Sequence, residues 1–518
     1  MKQEISSFRI ILCLLFICNI IIRFYKLDTL IPSVYSDEAA IGYSSWCLLN
    51  YGTDRYMNSF PIYIKNFFGG QSAAYAYLLI PFIKLFGLNI FSVRCLNAFA
   101  YAAAFIVLYL ILNAILKNQS AILFSLSLYT FSPLITHFSR IGLDCDLILP
   151  LTIISFYFTL KAIDTEKTRF YAAAAAAWAL TLYTYAIAYI IVPAFLIVLF
   201  LLLIRNKKIA LKQSLIVVAI LLGLSWPLLL QLFTVCFIKH PWQLGPITFI
   251  TFATNRVSEI NTSNVFKNIK DLCQMIITYK FHYFYPIIFS SFYLVSAPFI
   301  LIGIVKSTKG ILKLDLKSIP ILFFITTFIS LIFVEDLYPH RILTIALPVI
   351  CLIGIGIENF LKTHEMRKRA VLSIVYSISI MLFIFYYFTP GLFSKYYDRN
   401  TYTQNPYTDV LRYIENNDDL KQCDIYILGK DPDGVTLPFY LGGVDPEKLM
   451  DFDDTKYLTY DDLKFDKYHM MNDSGYESGN VYVIDNNRIY YRYNEDAVEN
   501  IKEVAPNKKE FEFYSIYY

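Results

Sequence analysis

The sequence predicts a polytopic α-helical membrane protein that ends in a soluble α/β domain, and three observations carry that prediction. Of the 518 residues, 57% are hydrophobic and only 17% charged, with a mean hydropathy of +0.49; soluble domains run about 45–50% apolar and about 25% charged. Eleven segments stay apolar for roughly the 20 residues that cross a bilayer as a helix. The charge is split along the chain: 391–518 holds 25 acidic and 14 basic residues, although the whole chain carries a formal net charge of +4. A basic membrane part, 1–390, and an acidic tail, 391–518, are therefore expected as separate domains. A wholly soluble enzyme is excluded. The 42 Tyr and 43 Phe residues exclude disorder and collagen-like structure, and the acidic tail argues against a nucleic-acid partner.

The candidate spans are 8–24, 91–116, 119–138, 143–162, 169–187, 188–204, 211–236, 283–305, 318–334, 340–361 and 370–390. The third and fourth are the weakest, since they carry serines, Pro133 and Pro150. Segment 8–24 lacks a small-residue cleavage site and is followed by Arg23-Phe24-Tyr25-Lys26, so it is expected to be a retained anchor. Alternate loops then separate by charge. One set is short and rich in Lys and Arg, for example Arg205, Lys207 and Lys208, or Arg367, Lys368 and Arg369. Such loops face the cytoplasm. The other set contains 25–90, 237–282 and the tail. The reading is a multi-pass plasma-membrane protein with a cytoplasmic N-terminus and an extracytoplasmic C-terminal domain.

Nine cysteines are scattered without CxxC spacing, which suits buried free thiols better than a zinc site or a disulfide framework. The alanine run Ala172 to Ala177 reads as a small-residue face for close helix approach. In the tail, Asn405 and Pro406 open a helix with Tyr407, Val410, Leu411 and Ile414 on one face. Cys423 to Leu428 reads as a strand, Val481 to Ile484 with Ile489 to Tyr493 as a hairpin, and Phe511 to Tyr518 as a further strand. The acidic stretch Asp451 to Asp466 has no EF-hand spacing and reads as a solvated face.

Charges near a membrane core are costly and therefore informative. In the first external loop, 25–90, Ser36 is placed to cap a helix that begins with Asp37 and Glu38. One reading is that the carboxylates only complement the helix dipole. The continuation favours more, because Tyr43, Trp46 and Leu49 form an apolar face that would lay this helix in the interface plane. Asp37 would then sit at the water–lipid boundary, where partial desolvation and Glu38 beside it raise a carboxylate pKa toward that of a usable base. Phe68 to Ser72 reads as a turn into a second interfacial helix, Ala73 to Phe86, with Ser72 as its cap. The next external loop carries Arg140, Asp144 and Asp146, which suit an interfacial salt bridge or a phosphate and sugar site equally. Arg256 and Glu259 lie in the 237–282 loop, and His340 and Arg341 open a span, where Arg341 either snorkels or holds a phosphate.

In order, "SDEAAIGYSSWCLLNYGTDRY", "GGQSAAYAYLLIPFIKLFGLNIFSVR", "SRIGLDCD", "NRVSEI" and "HRILTIALP" resemble the GT-C superfamily of membrane glycosyltransferases. The likeness is to the protein O-mannosyltransferases and the aminoarabinose transferases, and within them to bacterial family 39 glycosyltransferases. It covers 25–390 well and the tail loosely. Where that family has a Lys-Pro-Pro-type segment, this chain has Gly70-Gln71-Ser72-Ala73, a departure that bears on the substrate.

The resemblance implies a GT-C-like fold and a polyprenyl-phosphate monosaccharide donor. It implies transfer of a hexosyl or pentosyl group on the extracytoplasmic face, usually with inversion. Asp37 is then the general base, and Glu38 and Asp144 belong to the catalytic set. Arg140, Arg256, His340 and Arg341 are candidates for the donor phosphate, and Tyr43, Gln71 and Glu259 for other substrate contacts. The partners implied are the lipid donor, membrane lipids and a glycan, lipid or protein acceptor. A phosphate departs as an anion, so a second carboxylate acting as acid is not required, unlike in glycoside hydrolases. No Gly-rich dinucleotide fingerprint is present. No histidine cluster demands a divalent metal, and Asp144-x-Asp146 is too short a pattern to decide; the metal question stays open. The competing reading is a transporter or lipid flippase. It predicts ionisable residues deep in the spans or broken helices in matching halves, whereas the charges here cluster at external ends.

Overall fold

The computed structural model describes every residue except Met1, Pro32, 67–68, 253–263, 279–286, 363–364, 391, 394–402, 405–406, 429–434, 450–463, 472–475, 487–494 and 512–513. The chain forms two compact units. The first comprises Met1–Leu30, Arg94–Lys239 and Thr254–Thr401, and the second Ile31–Val93, His240–Ala253 and Tyr402–Tyr518. The division expected at 390 differs from this one, because most of the first external loop clusters with the tail.

In chain order the chain opens with α1 (Lys2–Phe24), β1 (Val34–Tyr35), α2 (Ser36–Tyr51), β2 (Tyr63–Asn66), β3 (Gly69–Ser72) and α3 (Ala73–Phe86). There follow α4 (Ile90–Ile115), α5 (Gln119–Phe131), α6 (Pro133–Phe138), α7 (Ile148–Thr165), α8 (Thr168–Leu182), α9 (Ala188–Arg205) and α10 (Leu211–Phe233). After strands β4 (Trp242–Leu244) and β5 (Ile247–Phe249) come α11 (Val265–Ile277), α12 (Ala297–Thr308), α13 (Ile319–Ile332), α14 (Leu343–Phe360) and α15 (Glu365–Phe388). The tail holds β6 (Thr403–Gln404), α16 (Thr408–Glu415), β7 (Ile425–Leu428), α17 (Thr436–Tyr440), β8 (Lys464–Phe465) and β9 (Tyr468–Met471). It closes with β10 (Val481–Asp485), α18 (Glu495–Val504), β11 (Lys508–Glu510) and β12 (Tyr514–Tyr517).

Helix occupies each of the eleven expected segments, and the fold is that of a polytopic membrane protein. Among the described residues, seven helical stretches are long and apolar enough to cross a bilayer. The remaining segments are shorter for physical reasons. Segment 119–138 breaks at Ser132, whose hydroxyl accepts from the Ile135 amide and donates to the Ser291 carbonyl, with Pro133 opening α6. Proline at a first helical position loses no internal bond and ends the helix before it. Segment 169–187 stops at Leu182. Of segment 283–305, residues 283–286 lie outside the described residues, and among the rest helix starts at Leu294, through a short 3₁₀ turn into α12. None of the nine cysteines forms a disulfide, but Cys13 and Cys273 are exposed, so burial holds for only part of the set.

Within the first unit, α14 is the central helix and is buried along almost its whole length, whereas α1, α10 and α15 expose most of theirs. Two glycines allow α12 to approach it. A Cβ on Gly356 would lie 2.1 Å from the Phe299 carbonyl oxygen, and one on Gly303 2.0 Å from that of Leu352. Close backbone approach through small residues is how membrane helices gain packing without a hydrophobic driving force. Gly356→Ala should therefore cost about 1–3 kcal/mol through forced separation of the two helices. Gly223→Ala, with nothing within 4 Å, should leave the thermal transition in detergent unchanged or slightly raised; equal transitions for both variants would remove the close approach as a source of stability.

Within the second unit the tail is a six-stranded sheet in the order β11-β12-β10-β7-β9-β8. β7 runs parallel to both β10 and β9, while β12 lies antiparallel to β10. The amphipathic helices α16 and α18 supply apolar residues to cores on the sheet, with Val410, Leu411 and Ile414 in one and Ile501, followed by Ala505 just past the helix, in the other. α16 starts at Thr408, while Asn405 and Pro406 lie outside the described residues. The expected hairpin partner 489–493 also lies outside them, and both edges of β10 are occupied by β7 and β12 instead. Most of the acidic stretch 451–466 is likewise undescribed.

Candidate active site

The site in the second unit is built around the start of α2. β1 pairs with β6 through Val34 with Gln404 and Tyr35 with Thr403, which fixes the chain entering the helix. The cap is Tyr35, not the expected Ser36, which is already helical. The third helical residue, Glu38, is fully buried and accepts from the Tyr35 amide at 3.1 Å. A carboxylate at this position satisfies one of the amides that every helix start leaves without an internal partner. Glu38 is thus committed to holding the helix end. Asp37, one residue earlier, remains half-buried.

A hairpin brings the partners of Asp37. β2 and β3 pair antiparallel from Tyr63 with Ser72 to Asn66 with Gly69. Asn66 Nδ2 donates to Asp37 Oδ1 at 2.5 Å. The amide of Asn66 is itself oriented, because Arg55 Nη2 donates to Asn66 Oδ1 at 3.1 Å and to the Lys65 carbonyl at 3.1 Å. With its oxygen held by a guanidinium, the amide presents only N–H to the carboxylate. Arg55 in turn packs over the Tyr56 ring, 5.0 Å from its centroid. Its loop is pinned by Asp54, which accepts from the Tyr56 and Asn58 amides at 2.9 Å each. Burial pushes the Asp54 carboxyl above the ordinary carboxylate range, against the pull of those donors.

Gln71 comes from β3, with Nε2 3.5 Å from the Asp37 backbone carbonyl, the outer limit of a hydrogen bond. Gly70 beside it admits the Phe252 ring, which a Cβ would meet at 2.5 Å. Ser72 caps α3 as expected, accepting from the Ala74 amide. Tyr43 turns away from this cluster. It is 1% exposed, and its hydroxyl donates to the Val444 carbonyl at 2.8 Å. The expected one-sided apolar face of α2 is also corrected, because Ser44 and Ser45 are as buried as Tyr43.

In the first unit, Asp144, His340 and Arg341 share one end of the bundle, where the turn Asp144–Leu147 packs against Pro339–Ile342. Asp144 Oδ1 accepts from the Cys145 amide at 2.8 Å. His340 Nε2 lies 3.3 Å from the Tyr185 hydroxyl, and its ring stacks on Tyr338. Arg341 packs over that same Tyr338 ring and donates to the Asp336 carbonyl. Arg140 has a different task from the expected one. Its Nη1 donates to the carbonyls of Ile22 and Arg23, and its Nη2 to those of Tyr25 and Lys26. It is 2% exposed and closes the end of α1. Arg256 and Glu259 lie outside the described residues.

Sequence reasoning missed Asn66 and Arg55. The signal was weak but present. Tyr63-Ile64 followed by Gly69-Gly70 is a strand leading into a glycine-containing hairpin, and Asp54 two residues before Tyr56 suits an Asx turn. Among the described residues, no group of three or more His, Cys, Asp or Glu side chains is arranged to hold a metal ion.

A family model described as dolichyl-phosphate-mannose-protein mannosyltransferase matches residues 71–229. No curated protein matches the chain. Among solved structures, apo ArnT from Cupriavidus metallidurans aligns with a TM-score of 0.60 at 11% identity, covering 100% of this chain and 98% of that one. The same protein bound to undecaprenyl phosphate aligns with a TM-score of 0.57, also at 11% identity, with the same coverage. The archaeal oligosaccharyltransferase AglB from Archaeoglobus fulgidus, in complex with an inhibitory peptide and a dolichol-phosphate, gives 0.53 at 11% identity, covering 86% of this chain and 64% of that one. At this identity the likeness is one of fold, which the chain shares with ArnT and AglB.

Proposed function

We propose that this chain transfers a sugar from a polyprenyl-phosphate-linked donor to an acceptor hydroxyl or amine on the extracytoplasmic face, with inversion and with Asp37 as general base. One observation carries the reading. Asp37 keeps a half-buried carboxylate at the start of α2, fixed by Asn66, while Glu38 beside it is spent on the helix end. A base must be accessible to the acceptor and held in one orientation, and Asp37 meets both conditions. The match of residues 71–229 to the mannosyltransferase model and the likeness to proteins solved with undecaprenyl phosphate and dolichol-phosphate support the donor class.

In this mechanism the acceptor attacks the anomeric carbon opposite the phosphate. The new bond forms as the bond from carbon to phosphate oxygen breaks, and the electron pair leaves with the phosphate. The acceptor proton passes to Asp37. Cationic donors stabilise the charge that grows on the phosphate. Arg341 and His340 are our candidates for that role, with Arg256 on sequence grounds alone; Arg140 is withdrawn from it. Asp144 is the reserve carboxylate. Gln71, through the backbone of Asp37, and Asn66, through its carboxylate, act as positioning residues.

The test is loss of lipid-linked sugar from a panel of polyprenyl-phosphate donors by the purified protein in lipid, supplied with candidate acceptors. Turnover of one donor is expected; failure to bind any of them would move the assignment to a transporter. Asn66→Ala should lower kcat by roughly 10- to 100-fold with little change in KM, because the base survives but loses its fixed orientation. An equal fall in donor affinity would place Asn66 in binding instead.

A further inference from the structure

The first unit contains an apolar cavity of about 230 Å³. Its walls come from the last two turns of α7, the first three turns of α8 and of α10, and the last three turns of α9. It is therefore confined to the end of the bundle where the 165–168 and 206–210 connections lie. Asp144 stands at the opposite end of α7, a helix of 18 residues and so about 27 Å long. The cavity is thus separate from the end that carries Asp144, His340 and Arg341.

The alanine run explains why it exists. Ala174 and Ala175 from α8 and Ala162 from α7 line it, with Tyr171 and Trp178 as the rings on that wall. The small side chains leave space instead of bringing every neighbouring helix closer. The cavity reaches the outer surface between α9 and α10, since the lining residues Ile197 and Val218 are 60% and 46% exposed. Lined almost wholly by carbon, such a space does not recruit water. In a bilayer the matching filler is a hydrocarbon chain.

The mouth is basic. Lys208 donates from Nζ to the carbonyl of the lining residue Ile163 and accepts, at its own carbonyl, the hydroxyl of the lining residue Tyr171. Lys167, Arg169, Arg205, Lys207 and Lys212 are exposed around it, against the acidic Asp164 and Glu166. These loops are the ones whose charge marks them as cytoplasmic. Lys and Arg at headgroup level attract anionic lipids.

We propose that this crevice binds one acyl chain of an anionic glycerophospholipid from the leaflet bordering these basic loops, with the headgroup held by Arg205, Lys207 and their neighbours. The occupant is a bulk phospholipid and not the polyprenyl donor, because its charged head is met at the end of the helices remote from Asp144.

The protein is delipidated, offered equal amounts of phosphatidylglycerol and phosphatidylcholine in mixed micelles, and read by native mass spectrometry. Wild type should retain one phosphatidylglycerol in clear preference. Ala175→Phe fills the cavity and should lower that occupancy about tenfold. Arg205→Gln with Lys207→Gln changes only exposed residues and should abolish the preference, also about tenfold, while leaving the folded mass and thermal transition unchanged. If Ala175→Phe fails to fold, the charge variant carries the test alone. Equal retention of the two lipids by wild type would overturn the proposal, and so would an unchanged preference in the charge variant. Displacement of phosphatidylglycerol by undecaprenyl phosphate at equal concentration would reassign the crevice to the donor.

Discussion

Asp37→Asn should reduce donor turnover by about 100-fold or more while leaving the thermal transition at the wild-type value. The magnitude follows from the role, since general-base catalysis contributes about 10²- to 10⁴-fold. The stability half follows from the geometry. Asp37 Oδ1 accepts from Asn66 Nδ2, and an asparagine oxygen at the same place accepts that bond equally well. The variant therefore keeps its shape and loses only the ability to take a proton. Glu38→Gln is the matched control. Glu38 acts by accepting from the Tyr35 amide, and a glutamine oxygen does the same, so turnover and stability should both stay near wild type. The measurement is consumption of lipid-linked sugar by the two variants side by side. Equal turnover by Asp37→Asn and wild type would remove Asp37 as base and move attention to Asp144. A collapse in Glu38→Gln alone would exchange the roles of the two carboxylates.

What the sequence made legible, and what it hid, divides along physical lines. The helices of the membrane part were readable because each needs about 20 apolar residues and little else. Even the break at Ser132 was foreshadowed by Pro133. The second unit was harder. Strands of two to four residues such as β1, β2 and β3 carry almost no periodicity, and β1 finds its partner in β6, more than 360 residues away. The tail hairpin misled because 481–484 alternates like a hairpin strand, yet its parallel neighbour β7 arrives by a crossover that no local pattern announces. At the site, Asp37 and Glu38 were found as a pair. Their opposite fates depend on which of two adjacent side chains points back at the helix end, and spacing alone does not say. Asn66 escaped because an asparagine close to a pair of glycines most often serves a turn. Here Asn66 instead joins Arg55 to Asp37.

Arg140→Ala should fail differently from every variant at the proposed site. An arginine at a predicted span boundary reads equally well as a phosphate ligand, and only the tertiary structure distinguishes the two. Arg140 donates to four carbonyls, those of Ile22, Arg23, Tyr25 and Lys26, at 2.6–3.2 Å. The last carbonyls of any helix lack internal partners. Arg94 adds a donation to the Leu27 carbonyl, and Arg23 itself donates back to Tyr129 and Thr130 of α5. Removing Arg140 takes the donor from the buried carbonyls of Ile22 and Arg23, at about 1–3 kcal/mol for each group left unsatisfied, whereas Tyr25 and Lys26 are exposed and the Lys26 carbonyl also accepts from the Leu30 amide. A loss of about 3 kcal/mol or more is expected, read as a lower thermal transition or as failure to accumulate in the membrane. Arg140→Lys should recover only part of it, since an ammonium cannot reproduce the planar fork that spans both pairs of carbonyls. Arg341→Ala is the contrast, expected to weaken donor binding with a smaller effect on the fold. If Arg140→Ala instead accumulates normally and loses donor affinity as Arg341→Ala does, the guanidinium belongs to the phosphate after all, and the closed end of α1 must open during the reaction.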